Sequence, residues 1–91
     1  MSTKEKLGRK IKELNPDIGE FGIDYVVEYD NQAHAWAIDY KNSRYHLKTY
    51  VDEDDAADCL EKDMCIPLGV EVGQLRYNFD KYIHEHALEG V

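Results

Sequence analysis

The 91-residue sequence has no apolar run of membrane-spanning length and no basic stretch leading into an apolar one at its start. The expectation is a soluble, cytoplasmic protein that is not exported and has no membrane partner. Cysteine is scarce: Cys59 and Cys65 are the only two. Their C-x5-C spacing fits neither a C-x-x-C redox motif nor the paired knuckles of a zinc site. They read as thiols in a reducing compartment, Cys59 as a small buried hydrophobe and Cys65 near a loop. No glycine-rich phosphate loop, no G-x-S-x-G and no Cys–His pair supported by spacing occurs, so neither a catalytic residue nor a cofactor is expected. Basic side chains are also short in number, 11 against 19 acidic, for a net charge of −8. That balance disfavours direct binding to nucleic acid or anionic lipid, where basic groups must displace counterions.

What is present suffices for one domain over residues 1–91. The hydrophobic fraction of 43% argues against disorder. Charge is placed unevenly. Residues 1–14 carry five basic and two acidic side chains, whereas the rest of the chain carries six basic and seventeen acidic. The first segment reads as a basic helix lying across the protein's own acidic body, with an arm for an acidic partner as the alternative.

Periodicity divides the chain. Ser2-Thr3-Lys4-Glu5 reads as a capping box opening a helix over about 3–14, with Leu7, Ile11 and Leu14 on its apolar stripe. Asn15-Pro16 ends it. From about 22 to 51 the period becomes two, with β-branched and aromatic residues alternating, which predicts three strands. Two-residue turns at Asn31-Gln32 and Asn42-Ser43 pair Val27 with Trp36, Tyr25 with Ile38, Tyr40 with Tyr45 and Ile38 with Leu47. In that register the large residues share one face, and Tyr25, Tyr29, Tyr40 and Tyr45 lie there with His34 at its edge. A helical period returns over about 53–63, and Ile66-Pro67-Leu68-Gly69 breaks it. It resumes over about 70–87 with Val72, Leu75, Phe79, Tyr82 and Ile83 inward and Gly90 past the cap. The fold class is α+β: a three-stranded antiparallel β-meander in the order α-β-β-β-α-α, with the helices packed mainly on the aromatic face of the sheet.

This order resembles double-stranded RNA-binding domains in topology alone. Those domains bind through basic residues at the start of the last helix. Here the second helix opens with Asp52, Glu53, Asp54 and Asp55, and the third has only Glu71 and Arg76 early on, so membership in the family is not assigned.

Three groups of residues are candidate sites. Residues 51–65 hold seven carboxylates and one lysine. They fail the EF-hand pattern at Ala56 and Ala57, and they fit a helix start whose acids Asp52, Glu53, Asp54, Asp55 and Asp58 oppose the positive end of the macrodipole. Ala56 through Met64 supply that helix's core face. On the sheet face opposite the aromatics, the expected register aligns Asp24, Asp39 and His46, a weak candidate for a metal or for proton exchange. Beside them Ala33, Ala35 and Ala37, flanked by Val26, Lys48 and Tyr50, form a shallow groove that admits a helix, either the protein's own first helix or one from a partner. His84 and His86, two apart on a helix, do not share a ligand.

The expected function is that of a small protein-binding or adaptor module, not an enzyme, that contacts an unidentified protein or a second copy of itself. The alternative is an acidic mimic of nucleic acid that occupies a DNA- or RNA-binding protein. A metal or acid–base site on the sheet face is the third reading.

Overall fold

A computed structural model describes residues 2–42 and 44–89, the last four in backbone only. Helix α1 spans Thr3–Leu14, and a 3-10 turn follows at Pro16–Ile18. Strands β1 (Tyr25–Asp30), β2 (Ala35–Lys41) and β3 (His46–Asp52) come next, then helices α2 (Glu53–Lys62) and α3 (Ile66–Glu89). The sheet is an open antiparallel meander in the order β1-β2-β3.

Ser2 starts α1 by accepting the Glu5 amide on Oγ at 3.2 Å, the serine half of the expected capping box. Leu7 and Ile11 are fully buried, while Leu14 at the end of the helix is exposed. In the central strand Trp36, Ile38 and Tyr40 point to one side of the sheet, and Ala35 and Ala37 point to the other. All three helices sit over the bulky side. One core joins Leu7 and Ile11 of α1, Ile18 of the 3-10 turn, the sheet residues Tyr25, Val27, Ile38 and Val51, Ala56 and Cys59 of α2, and Leu68, Val72 and Leu75 of α3. Edge-on ring contacts extend it, Tyr29 on Trp36 at 5.2 Å and Tyr40 on Phe79 at 4.6 Å.

Both hairpins depart from the expected register by two residues. Tyr25 faces Tyr40, Val27 faces Ile38 and Tyr29 faces Trp36; across the other pair, Tyr40 faces Leu47 and Trp36 faces Val51. The connections are longer than two residues because a side chain at the start of each captures amides further on. Asp30 Oδ1 accepts the amides of Gln32 and Ala33 at 2.9 and 3.1 Å, and Asn42 Oδ1 accepts those of Arg44 and Tyr45 at 2.8 Å. A shift of two leaves every side chain on its expected face, so the face assignment survives a wrong turn length. Ala33 and His34 do move. Both lie exposed in the first loop, His34 at a positive φ of 52°, and not on the strand or at the core edge. Tyr45 is likewise in a loop, stacked edge-on against Tyr82 at 5.3 Å. The expected Asn42-Ser43 turn includes Ser43, which lies outside the described residues, as does Gly90.

Further corrections concern the ends of elements. The first strand begins at Tyr25 and not near 22: Ile23 lies exposed in the turn before it, and Ile18 of the 3-10 turn is buried in the core. Pro67 does not break α3. It stands in the first helical turn, where a proline's missing N–H has no intrahelical acceptor to lose, and the Gly69 amide bonds the Cys65 carbonyl at 2.9 Å. Asp63 ends α2 in the left-handed region, with φ at 57°, and Met64 beyond it is exposed and outside the core. Cys59 and Cys65 are joined as a disulfide between the end of α2 and the start of α3. They are therefore not the free thiols expected. A structural disulfide belongs to oxidising surroundings, so these cysteines lend no support to a reducing compartment. Among the described residues no helix is long and apolar enough to cross a membrane.

Gly8 fixes how closely α1 approaches β1. Its carbonyl accepts the buried Tyr25 hydroxyl at 2.7 Å, and a Cβ added at Gly8 would meet the Phe21 ring at 2.6–2.8 Å. Substitution Gly8→Ala normally favours a helix interior by about 1 kcal/mol. Here it forces the Phe21 ring or the helix outward, and we expect a net loss of about 1–3 kcal/mol in urea unfolding. A stabilised Gly8→Ala protein would refute this packing.

Candidate functional site

Because every helix covers the bulky face, the other face of the sheet has no helix above it among the described residues. Its rows run across the three strands. Val26, Asp39 and Lys48 form one, Glu28, Ala37 and Tyr50 the next, and Asp30, Ala35 and Asp52 the last, with Lys41 beside His46 at the far end. Ala35 and Ala37 are buried even so, because the longer side chains of the neighbouring strands rise beside them. The Ala37 side chain forms the floor of a trough, and Ala35 is the next residue of β2 on the same face. Two adjoining depressions of about 390 and 230 Å³ share Glu28, Ala37 and Lys48 in their walls. Tyr50 projects from the rim and is exposed.

The trough has charged walls. Glu28, Asp30, Asp39 and Asp52 oppose Lys41 and Lys48, an excess of acid on a protein that is acidic as a whole. Of the residues expected on this surface, Val26, Ala35, Ala37, Lys48 and Tyr50 are there, and Ala33 is in the adjoining loop. Two-residue turns would set Glu28 opposite Ala35; it faces Ala37 instead, and Asp30, which was not anticipated on this rim, faces Ala35. Their place depends on the two-residue shift in register, for which the carboxylate of Asp30 before a polar loop was the available signal.

The three residues Asp24, Asp39 and His46 do not form the row expected of them. Asp24 precedes β1 and turns its carboxylate back to accept the Glu20 amide at 3.0 Å. Asp39 faces Lys48 on β3, so an opposite-charge pair replaces the expected like-charge pair with Asp24. His46 Nδ1 does approach Asp39 Oδ1 at 3.4 Å, a contact suited to charge pairing. The approach lies outside hydrogen-bond geometry, and Asp39 Oδ1 is buried without a hydrogen-bond partner. Among the described residues no three histidine, cysteine or carboxylate side chains converge to hold a metal.

The acids at the start of α2 serve the helix. Asp52 takes the N-cap position with extended backbone, although its side chain makes no capping bond. Glu53 accepts the Tyr29 hydroxyl at 2.5 Å, and this bond to a carboxylate is the chief reason the Tyr29 phenol is held above its ordinary pKa. Burial does the same to Tyr25. Asp54 is exposed, Asp55 is half-buried, and Asp58 pairs with Lys62 at 3.6 Å one turn on. Of the basic first helix, Lys10 reaches this acidic body: its Nζ lies 3.5 Å from the Asp63 carboxylate, and 3.2 Å from Glu13 of its own helix. His84 is exposed, and the His86 side chain lies outside the described residues.

With Asp24 turned away, Asp39 and His46 alone offer too few ligands for a firm metal site. Adding zinc or manganese to the labelled protein is expected to leave the His46 and Asp39 resonances in place. Joint movement of His46, Asp39 and Asp24 at micromolar metal would contradict that geometry. Comparison with protein-family models, with curated proteins and with solved structures found no match, so the function is read from geometry and chemistry alone.

Proposed function

We propose that this protein is a small binding module without catalytic activity, and that its uncovered sheet face receives a helix of a protein partner. The observation that carries the reading is the segregation of all three helices to one side, which leaves on the other a trough floored by Ala37, with Ala35 next to it on the same face. A helix settles closely only where the facing side chains are short, and the central strand supplies two in register. The rim selects the partner's chemistry. Glu28, Asp30 and Asp52, on a protein of net charge −8, favour a helix with a stripe of small apolar residues flanked by lysine or arginine. Tyr50 at the rim is the kind of exposed aromatic that anchors such contacts.

The test is an NMR titration of the labelled protein with a synthetic alanine-striped, lysine-flanked helical peptide. Resonances of Val26, Glu28, Ala37, Lys48 and Tyr50 are expected to shift together, less so at high salt, and not at all in an Ala37→Arg protein. Shifts confined to Asp54, Asp55 and Asp58 would favour the nucleic-acid-mimic reading instead. No shift at any peptide concentration would count against the trough as a helix-binding surface.

A further inference from the structure

Helix α3 has two apolar faces. Leu68, Val72, Leu75 and Phe79 point inward and are buried. Ile66, Val70 and Tyr77 follow one another at spacings of four and seven on the opposite side, and all three are exposed. Gly69 and Gly73 lie along the same side. A Cβ added at either glycine would meet nothing within 4 Å. The chain's own packing therefore does not call for glycine at these two helical positions, in contrast to Gly8, where Phe21 and Tyr25 crowd the backbone. At its first turn this outer face opens onto a groove of about 550 Å³ between the end of α1 and the start of α3, lined by Lys10, Leu14, Ile66, Gly69 and Val70.

We infer that the occupant of this face is a second copy of the chain. Two α3 helices pack antiparallel about a two-fold axis near Gly73, and each copy's Tyr77 enters the groove of the other. The spacing sets large against small at the centre of a two-fold interface, while at its edge Ile66 falls opposite Asp80, which pairs with Arg76 of its own helix at 3.2 Å. An axis at Gly73 sets each position opposite one equally far on the other side, so Tyr77, the largest exposed side chain, falls over Gly69, the smallest. Gly73 meets its own copy, which lets the two backbones come close. Arg76 falls opposite Val70, over which its long stem can lie. Lys81 falls opposite the loop that holds Asp63, whose exposed carboxylate is 3.5 Å from Lys10. Antiparallel packing also opposes the two macrodipoles.

The area fits a modest interface. Ile66, Val70 and Tyr77 are 81%, 61% and 63% exposed, with Met64 at 59% and Leu14 at 39% beside them. Together these side chains offer roughly 500–600 Å² per copy, so a pair hides at most about 1,000–1,200 Å², at the lower edge of specific interfaces. The dimer is accordingly weak and concentration-dependent. It uses the side of the molecule away from the sheet, so both troughs remain uncovered and point outward.

Sedimentation equilibrium of the full chain tests the inference, over concentrations up to about 500 µM and with far-ultraviolet circular dichroism confirming each variant's fold. The mass is expected to rise with concentration from 10.6 kDa toward twice that value. Gly69→Leu, which fills the groove floor, and Tyr77→Ala, which empties it, each weaken association by roughly tenfold or more. Ala37→Arg, on the far face of the sheet, leaves association unchanged. A chain that stays monomeric throughout would overturn the inference. So would a dimer that Gly69→Leu and Tyr77→Ala leave intact, or one that Ala37→Arg abolishes.

Discussion

The asymmetry of the central strand is the constraint from which the rest of the structure follows. Trp36, Ile38 and Tyr40 load one face of β2, and Ala35 and Ala37 occupy the other. Apolar area removed from water is the main favourable term in folding, and nearly all of it lies on the loaded face. Helices that seek apolar area have one side of the sheet to cover. The chain order then has little freedom, because α1 reaches that side ahead of β1 and the disulfide-linked α2 and α3 reach it after β3.

Close approach makes the covering tight. At Gly8 the absence of a side chain lets α1 settle against Phe21 and places its carbonyl on the Tyr25 hydroxyl. At the other end of the core the Cys59–Cys65 link holds the turn at Asp63 and directs α3 back along β3. By a chain-entropy argument, closing so short a loop contributes about 2 kcal/mol relative to the reduced chain. These junctions explain why a 91-residue chain can leave one sheet face uncovered and still complete a core.

The alternation of Tyr25, Val27 and Tyr29, and of Trp36, Ile38 and Tyr40, was legible in the sequence, and with it the fold class and the identity of the two faces. Turn length was not. Asp30 and Asn42 capture amides two and three residues ahead, and a side chain's choice between that bond and solvent is a local geometric matter which periodicity does not report. Parity protected the faces from the error, but it did not protect the rows. The proposed company of Asp24, Asp39 and His46 dissolved, Glu28 moved from Ala35 to Ala37, and Asp30 took the place beside Ala35. The disulfide was hidden because C-x5-C has no characteristic meaning without the left-handed Asp63 that bends the chain between the two sulfurs. The second face of α3 was hidden for another reason. Ile66 and Val70 precede or open the expected helix, so the stripe they form with Tyr77 appears only once Pro67 is placed in the first turn.

The two outward surfaces differ in character. The sheet trough is small-residue and acid-rimmed, whereas the outer face of α3 is apolar and notched by glycine. Both depend on the claim that the helices occupy a single side of the sheet. Urea unfolding of Ala37→Arg and Ile38→Arg, adjacent residues on opposite faces, tests that claim most directly. An arginine at position 37 rises from the open trough into water, and its unfolding free energy is expected within about 1 kcal/mol of the parent. An arginine at position 38 buries an unpaired charge beneath three helices, and a loss of about 4 kcal/mol or more, or failure to fold, is expected. Comparable losses in the two proteins would mean that the alanine face is covered, and would contradict the architecture described.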